Sequence, residues 1–252
     1  MSVDALNVSG VTGEAAYPAP VADAPLVVFD FDHTLYDGDS GSHLFAWLIR
    51  RSAWRKALAL LIAPVAGPMV AFLPTRRHGI GAFVWVGTLF EREPFDALVD
   101  AYVRRHVDGI RARLLPVALD VLHRHRRAGD RVVVATGAPP RLARAILGFV
   151  AHEDLPVVGT QLERFMGGLR ASRHCHHAMK MTMLREAGFD APIAAAYSDS
   201  TADLPLLQAA ARPVVVNPKP DGIAFFRERL PVGTPMLNWG CPGRVGDAVT
   251  DA

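Results

Sequence analysis

At 252 residues, half of them apolar, the chain is long enough to bury a full core, and general disorder is excluded. It carries 27 basic against 25 acidic residues, a formal charge of +2, which leaves no electrostatic footprint for nucleic acid. Cys175 and Cys241 are the only cysteines, which argues against a disulfide scaffold and makes a reducing compartment the default; a cytoplasmic location is the expectation.

Residues 1–24 mix small residues with Asp4, Glu14, Asp23, Pro18 and Pro20, without a basic start or a long apolar centre. A loose arm is expected there rather than a signal peptide. Leu26-Val27-Val28-Phe29 then reads as a buried parallel strand, and it delivers Asp30 and Asp32 at its C-terminal end, where α/β proteins bind ligands. Side chains two apart on an extended backbone share a face, so the two carboxylates can share a site. Like charges that close call for a cation or a proton between them, which makes Mg²⁺ with one ionised and one proton-cycling carboxylate the natural use of the pair.

Asp37-Gly38-Asp39-Ser40-Gly41 is rich in turn residues and offers Asp39 or Ser40 as a helix cap. A basic patch of Arg50, Arg51, Arg55 and Lys56 precedes residues 57–74, which hold no charge, and a second uncharged run covers residues 79–90. Pro64, Gly67, Pro68 and Pro74 predict a broken helical hairpin. Two expectations follow for these runs: a cap whose apolar faces pack on each other, or a hairpin with Trp47, Trp54 and Trp85 dipping into a membrane interface. Residues 95–106 carry a helical apolar face, and Pro116 opens a helix that ends in the basic run 123–127 before Gly129, where His123 and His125 read as a solvated end.

The run from Arg131 to Ala135 reads as a second buried strand, ending in Thr136 and Gly137, and Pro139-Pro140 starts the helix after it. Residues 155–159 predict a third strand and residues 160–173 a flap or hairpin. His174, Cys175, His176 and His177 look metal-like, but their adjacent spacing is poor for one tetrahedral centre. Lys180 opens the next helix. Residues 193–198 form a strand ending at Asp199, with Asp203 at the start of the following helix; residues 213–216 predict an edge strand, 236–239 a final one, and no role is evident after Gly240.

In that order, the stretches Asp30-Phe31-Asp32-His33-Thr34, Thr136-Gly137, Lys180 and Ser198-Asp199-Ser200-Thr201-Ala202-Asp203-Leu204-Pro205 resemble the four motifs of the haloacid dehalogenase-like hydrolases. The insert position resembles the phosphoserine-phosphatase-like branch, subfamily IB. The resemblance implies an α/β fold: a Rossmann-like parallel sheet core from residues 25–40 and 111–240, a mostly helical cap over 41–110, and a tail over 241–252. It implies Asp30 as nucleophile and Asp32 as acid and base, with Thr136, Gly137 and Lys180 holding the phosphoryl group. Mg²⁺ would be bound by Asp30, Asp199 and the main-chain carbonyl of Asp32, steadied by Asp203. His33, Asp37, Asp39, His176, His177 and Asn217 are expected at the rim of the site or against substrate. Where relatives often have a glycine-containing turn before the lysine, this chain has His176 and His177.

The expected activity is Mg²⁺-dependent hydrolysis of a small-molecule phosphomonoester through an aspartyl phosphate. The first cap helix and its apolar segment also resemble the phosphatidylglycerophosphatase C-like group. That resemblance implies, as an alternative, a lipid phosphate substrate, peripheral membrane contact through the cap, and a place at the inner face of the membrane. A phosphotransferase would reuse the same intermediate. An adaptor would keep the fold without turnover.

Overall fold

The computed structural model describes residues 23–72, 75–150, 152 and 154–248. The arm expected over 1–24 lies almost wholly outside the described residues, as do Pro74 and the last four positions of the tail. In chain order the strands are β1 (Leu26–Phe29), β2 (Arg131–Thr136), β3 (Val157–Gly159), β4 (Gln161–Phe165), β5 (Gly168–Arg173), β6 (Ile193–Ser198), β7 (Ala210–Val216), β8 (Met236–Asn238) and β9 (Asp247–Ala248). Strands β4 and β5 pair as a separate antiparallel hairpin. The other seven form one parallel sheet in the order β3-β2-β1-β6-β7-β8-β9.

Period-2 alternation splits the apolar residues of this sheet between two faces. Val27, Phe29, Val132, Val134, Val214 and Val216 join one core cluster, and Leu26, Val28, Val133, Ala135 and Val215 join the other. The first cluster is covered by α1 (Ser40–Arg50), α4 (Phe95–Arg105), α6 (Pro116–Arg127) and α7 (Pro140–Leu147), through Leu44, Leu98, Leu122 and Leu142. The second is covered by α8 (Ala178–Glu186), α9 (Leu204–Ala209) and α10 (Gly222–Arg229), through Met183, Leu206 and Phe226. This is the expected α/β core: a parallel sheet covered by helices on both faces. The chain runs outward from β1 in both directions, so the crevice at the C-terminal ends of β1 and β6 is the topological switch point.

Between α1 and α4 stand α2 (Ala53–Ala71) and α3 (Arg76–Thr88), with the short α5 (Val107–Arg111) after α4. The prolines do not break α2, which runs for 19 residues through Pro64 and Pro68. Both rings, and the Leu60 and Pro64 residues whose carbonyls lose an N–H partner, lie on the exposed side of the helix, where no packing has to be sacrificed. On the inner side, Ala66 and Gly79 bring α2 and α3 together so closely that a Cβ on Gly79 would lie 2.7 Å from Ala66 O and Val70 N. The β4–β5 turn, Met166-Gly167, docks on the end of α3: Trp85 Nε1 donates to Phe165 O at 3.2 Å, and Leu169 N donates to Thr88 Oγ1 at 2.8 Å. Positive φ at Met166 (43°) and Gly167 (81°) suits a two-residue hairpin connection.

Several expectations change. Residues 213–216 belong to an interior strand, because β8 and β9 lie outside β7; Pro213 is tolerated because β8 pairs only with Val215 and Val216, beyond it. Residues 236–239 do not end the sheet, since β9 follows within the supposed tail. His125 is not a solvated helix end: Nδ1 lies 2.6 Å from Asp130 Oδ2, Nε2 lies 2.9 Å from the Tyr197 hydroxyl, and the ring meets Phe29 edge-on. His123 stands edge-on to His152. Of the three tryptophans expected at a membrane, Trp47 packs on Tyr102 and His106 and Trp85 is tied to the hairpin; Trp54 alone among the three is exposed.

Gly79→Val is expected to wedge α2 from α3 and to cost about 1–3 kcal/mol by overpacking. A thermal unfolding curve of the variant checks this, and an unchanged Tm would mean that the two helices do not meet at this position.

Candidate active site

The crevice at the switch point is lined by side chains that follow directly from strand ends. Asp30 comes straight after β1, where its N–H donates to Tyr197 O at 2.8 Å, so β6 holds the turn in place. Lys180, on the first turn of α8, is 1% exposed and donates to Asp30 Oδ1 at 2.8 Å and to Asp203 Oδ2 at 2.6 Å. Ser198, the last residue of β6, donates its hydroxyl to the same Asp203 oxygen at 2.7 Å. Burial alone would strip the proton from Lys180, but the Asp203 and Asp30 carboxylates outweigh it, and the amine is held above its ordinary value as an ammonium. Burial raises Asp30 to about 6, with Lys180 pulling it down and Asp203 pushing it up.

Asp32 lies on the neighbouring turn, and the N–H of Ser40, first residue of α1, donates to its Oδ1 at 2.9 Å. Burial and then the nearby Asp39 charge raise it well above the ordinary carboxylate range, which keeps a proton available on this carboxyl. Asp39 itself caps α1, accepting from Ser42 N at 2.7 Å. Thr136 ends β2, fully buried, and its Oγ1 accepts from Ala138 N at 3.0 Å. That bond uses the oxygen as acceptor, and among the described residues no acceptor takes the hydroxyl proton, which can be donated to an anion. A Cβ on Gly137 would lie 2.5 Å from two ring atoms of His176, so His176 stands over this turn and the glycine makes room for it.

Asp199 follows β6 on the opposite side of Asp30. Burial, then repulsion from Asp30, raises it to about 8. Its partner is one that the sequence did not indicate: Arg244 donates to Asp199 Oδ2 at 3.0 Å and to Asn217 O at 3.1 Å. The segment after Gly240 is therefore part of the site. Asn217, at φ 48°, is spent on structure: its Nδ2 donates to His33 O at 2.7 Å and its Oδ1 accepts from Trp239 N at 2.6 Å. Both ends of its side-chain amide are thereby engaged in clasping the rim. His33, Asp37 and Cys241 meet on the same rim, with Cys241 Sγ donating to Asp37 Oδ1 at 3.0 Å. Cys175, by contrast, is buried, with Sγ 3.9 Å from Val158 O.

The donor set suits a hard cation. Asp30, Asp32 and Asp199 are pushed upward, Asp203 shares Lys180 with Asp30, Asp199 is paired with Arg244, and Asp203 Oδ1 is buried without a hydrogen-bond partner among the described residues. Such a cluster is short of positive charge. A surface hollow lined by Arg124, His125, Tyr197, Arg212 and Trp239 lies elsewhere and contains none of these carboxylates.

The profile of the haloacid dehalogenase-like hydrolases matches residues 27–208, a span that contains Asp30, Thr136, Lys180 and Asp199. The chain belongs to this family. Solved structures agree on the fold. A protein of unknown function from Bordetella pertussis Tohama I superposes with a TM-score of 0.60 at 23% identity, over 82% of this chain and 96% of its own. A HAD family hydrolase from Salmonella enterica subsp. enterica serovar Typhi gives 0.54 at 17% identity, over 84% and 68%. Cytosolic 5'-nucleotidase IIIB bound to cytidine gives 0.52 at 14% identity, over 82% and 78%. As a member of the family, the chain has a hydrolase fold suited to phosphohydrolase chemistry.

The turn before Lys180 carries a measurable signature. His177 precedes α8 with φ 52° and ψ −141°, a backbone conformation that glycine adopts far more readily than histidine. The Lys180 N–H bond to His177 O at 3.1 Å holds it there. His177→Gly is expected to stabilise the protein by about 1 kcal/mol, seen as a higher denaturation midpoint. A lower midpoint would show that the imidazole makes a contribution larger than the backbone strain.

Proposed function

We propose that the protein is a Mg²⁺-dependent phosphomonoester hydrolase that works through an aspartyl phosphate on Asp30 and acts on a small metabolite phosphate. The observation that carries this reading is the buried Lys180 bridging Asp30 and Asp203, beside the free hydroxyl proton of Thr136. Asp30, Asp199 and the Asp32 carbonyl would hold the metal, which supplies charge neutralisation for the incoming phosphate. Asp30 Oδ attacks phosphorus in line while Asp32 gives its proton to the leaving oxygen. Thr136 and Lys180 hold equatorial oxygens with donors already in place, so no reorganisation is needed as charge develops. In the second step Asp32, now ionised, takes a proton from water as the water attacks the aspartyl phosphate.

A second reading of the substrate has its own observation. Trp54, Leu61, Val65 and Pro68 recur at helical spacing on α2 and are exposed, as is Phe72 at its C-cap, with Leu60 and Pro64 beside them; Leu60, Leu61 and Val65 are 74%, 75% and 69% exposed. By length and composition α2 is apolar enough to cross a membrane, and only 11% of its most apolar stretch is buried. Lys56 is exposed on its first turn and Arg76 and Arg77 at the start of α3, whereas Arg55 is buried against Leu89 O and Glu91 and is unavailable to a headgroup. An apolar stripe with basic ends fits a helix lying in an anionic membrane interface, and a lipid phosphate would then be the substrate.

Asp30→Asn is expected to lower Mg²⁺-dependent phosphate release by more than about a thousandfold while leaving the circular dichroism spectrum unchanged; release near the wild-type rate would remove Asp30 from the nucleophile's role. For the second reading, co-sedimentation with phosphatidylglycerol vesicles is expected for the wild type and is lost in the double variant Leu61→Glu, Val65→Glu. Equal partition of both proteins into the supernatant would leave the soluble metabolite phosphate as the substrate class.

A further inference from the structure

The rim of the crevice carries a second group of potential metal ligands that the phosphoryl chemistry does not use. His33, Asp37 and Cys241 arrive from two segments far apart in the chain, yet their ligand atoms all lie within 4.8 Å of one another. Cys241 Sγ is 3.0 Å from Asp37 Oδ1 and 4.0 Å from His33 Nδ1. Each residue is fixed through its backbone. His33 is held at φ 59° by its N–H to Tyr36 O at 2.6 Å and by Asn217 Nδ2 on its carbonyl at 2.7 Å. Asp37 is held by its N–H to Arg113 O at 2.7 Å and by Arg113 Nη1 on its own carbonyl at 3.0 Å. Cys241 N donates to Asn238 Oδ1 at 3.1 Å.

We infer that His33, Asp37 and Cys241 form a site for a thiophilic divalent cation of the Zn²⁺ class, separate from the carboxylate site of Asp30 and Asp199. Ligands around tetrahedral zinc stand roughly 3.5 Å apart, given bonds of about 2.0–2.3 Å, and the observed spacings bracket that value. One imidazole nitrogen, one carboxylate oxygen and one sulfur are the donors of a borderline-soft metal, whereas Mg²⁺ takes oxygens. Three protein ligands leave a fourth position open to water. Binding breaks the Cys241 S–H bond: the proton now directed at Asp37 leaves to solvent, and the thiolate sulfur bonds the metal. The occupied site ties the segment after β8 to the turn after Asp32, and so fixes the backbone just before Arg244, the Asp199 partner. The inference does not depend on the chain's hydrolysing any particular ester.

Co²⁺ titration of the full chain in saturating Mg²⁺ tests the site, because the carboxylate cluster is then filled and a cobalt thiolate has its own near-ultraviolet charge-transfer band. One equivalent is expected to give that band together with the visible bands of tetrahedral cobalt, and Zn²⁺ is expected to bleach both. Cys241→Ser should abolish the charge-transfer band, and Cys175→Ser should keep it. His33→Asn, which tolerates the positive φ, and Asp37→Asn should each weaken binding by more than about tenfold, since even loss of an outer-shell partner costs that much. Should Cys241→Ser unfold, those two variants decide. The inference is overturned by a wild-type protein without the thiolate band, by a band that survives Cys241→Ser, or by full Co²⁺ affinity in both His33→Asn and Asp37→Asn.

Discussion

Lys180 carries an ammonium into a place almost without solvent, and the geometry around it decides how the rest of the crevice is arranged. A buried charge of this kind is tolerated only when paired and hydrogen-bonded, and removing one partner of such a pair typically costs about 3–5 kcal/mol. Lys180 meets that condition through Asp30 after β1 and Asp203 after β6, each within 2.8 Å. Three elements that are remote in sequence are thereby held to one point. Ser198 extends the network, since its hydroxyl reaches Asp203 at 2.7 Å and its oxygen accepts from Ser200 N at 3.1 Å. The strand ends that carry Asp30 and Asp199 thus keep a fixed spacing before any ligand arrives, which is the preorganisation that electrostatic catalysis needs.

Parts of the chain with different physical character flank the core that carries the crevice. On one side, α1 and α4 share an apolar cluster with the sheet whose strand ends carry the carboxylates. The α2–α3 pair stands further out and is stitched to the β4–β5 hairpin through Trp85 and Thr88. Its outer face is left apolar and exposed, a larger continuous patch than isolated surface leucines would make. On the other side, the segment after β8 brings Cys241 and Arg244 to the rim, with Asn217 and Asn238 as its hydrogen-bonded fasteners. Ordering the site thus depends on residues from both ends of the core.

Much of the fold was legible because it is local or periodic. Uninterrupted apolar runs bounded by turns marked β1, β2 and β6, and the carboxylates immediately after them had only one end of a parallel sheet to occupy. Pro116, Pro140 and Asp39 marked helix starts because a proline or a capping carboxylate acts within its own first turn. The prolines of α2 misled for the same local reason: a single proline argues for a break, but whether it makes one depends on what packs against the ring, and here nothing does.

What the sequence by itself determined is the identity and order of the chemistry-bearing groups: Asp30, Asp32, Thr136, Lys180, Asp199 and Asp203, each set by a strand end or a helix start within a few residues of it. What only the tertiary structure decided is which distant groups join them. Arg244 reaches Asp199 across 45 positions, and Cys241 reaches Asp37 across 204. No spacing rule links such residues, because their proximity is set by β8 and β9 adding to the sheet and by the main-chain bonds that turn the last segment back over the crevice. The same holds for the exposed face of α2 and the buried guanidinium of Arg55: charge and hydropathy describe a side chain, whereas burial is a property of everything packed around it.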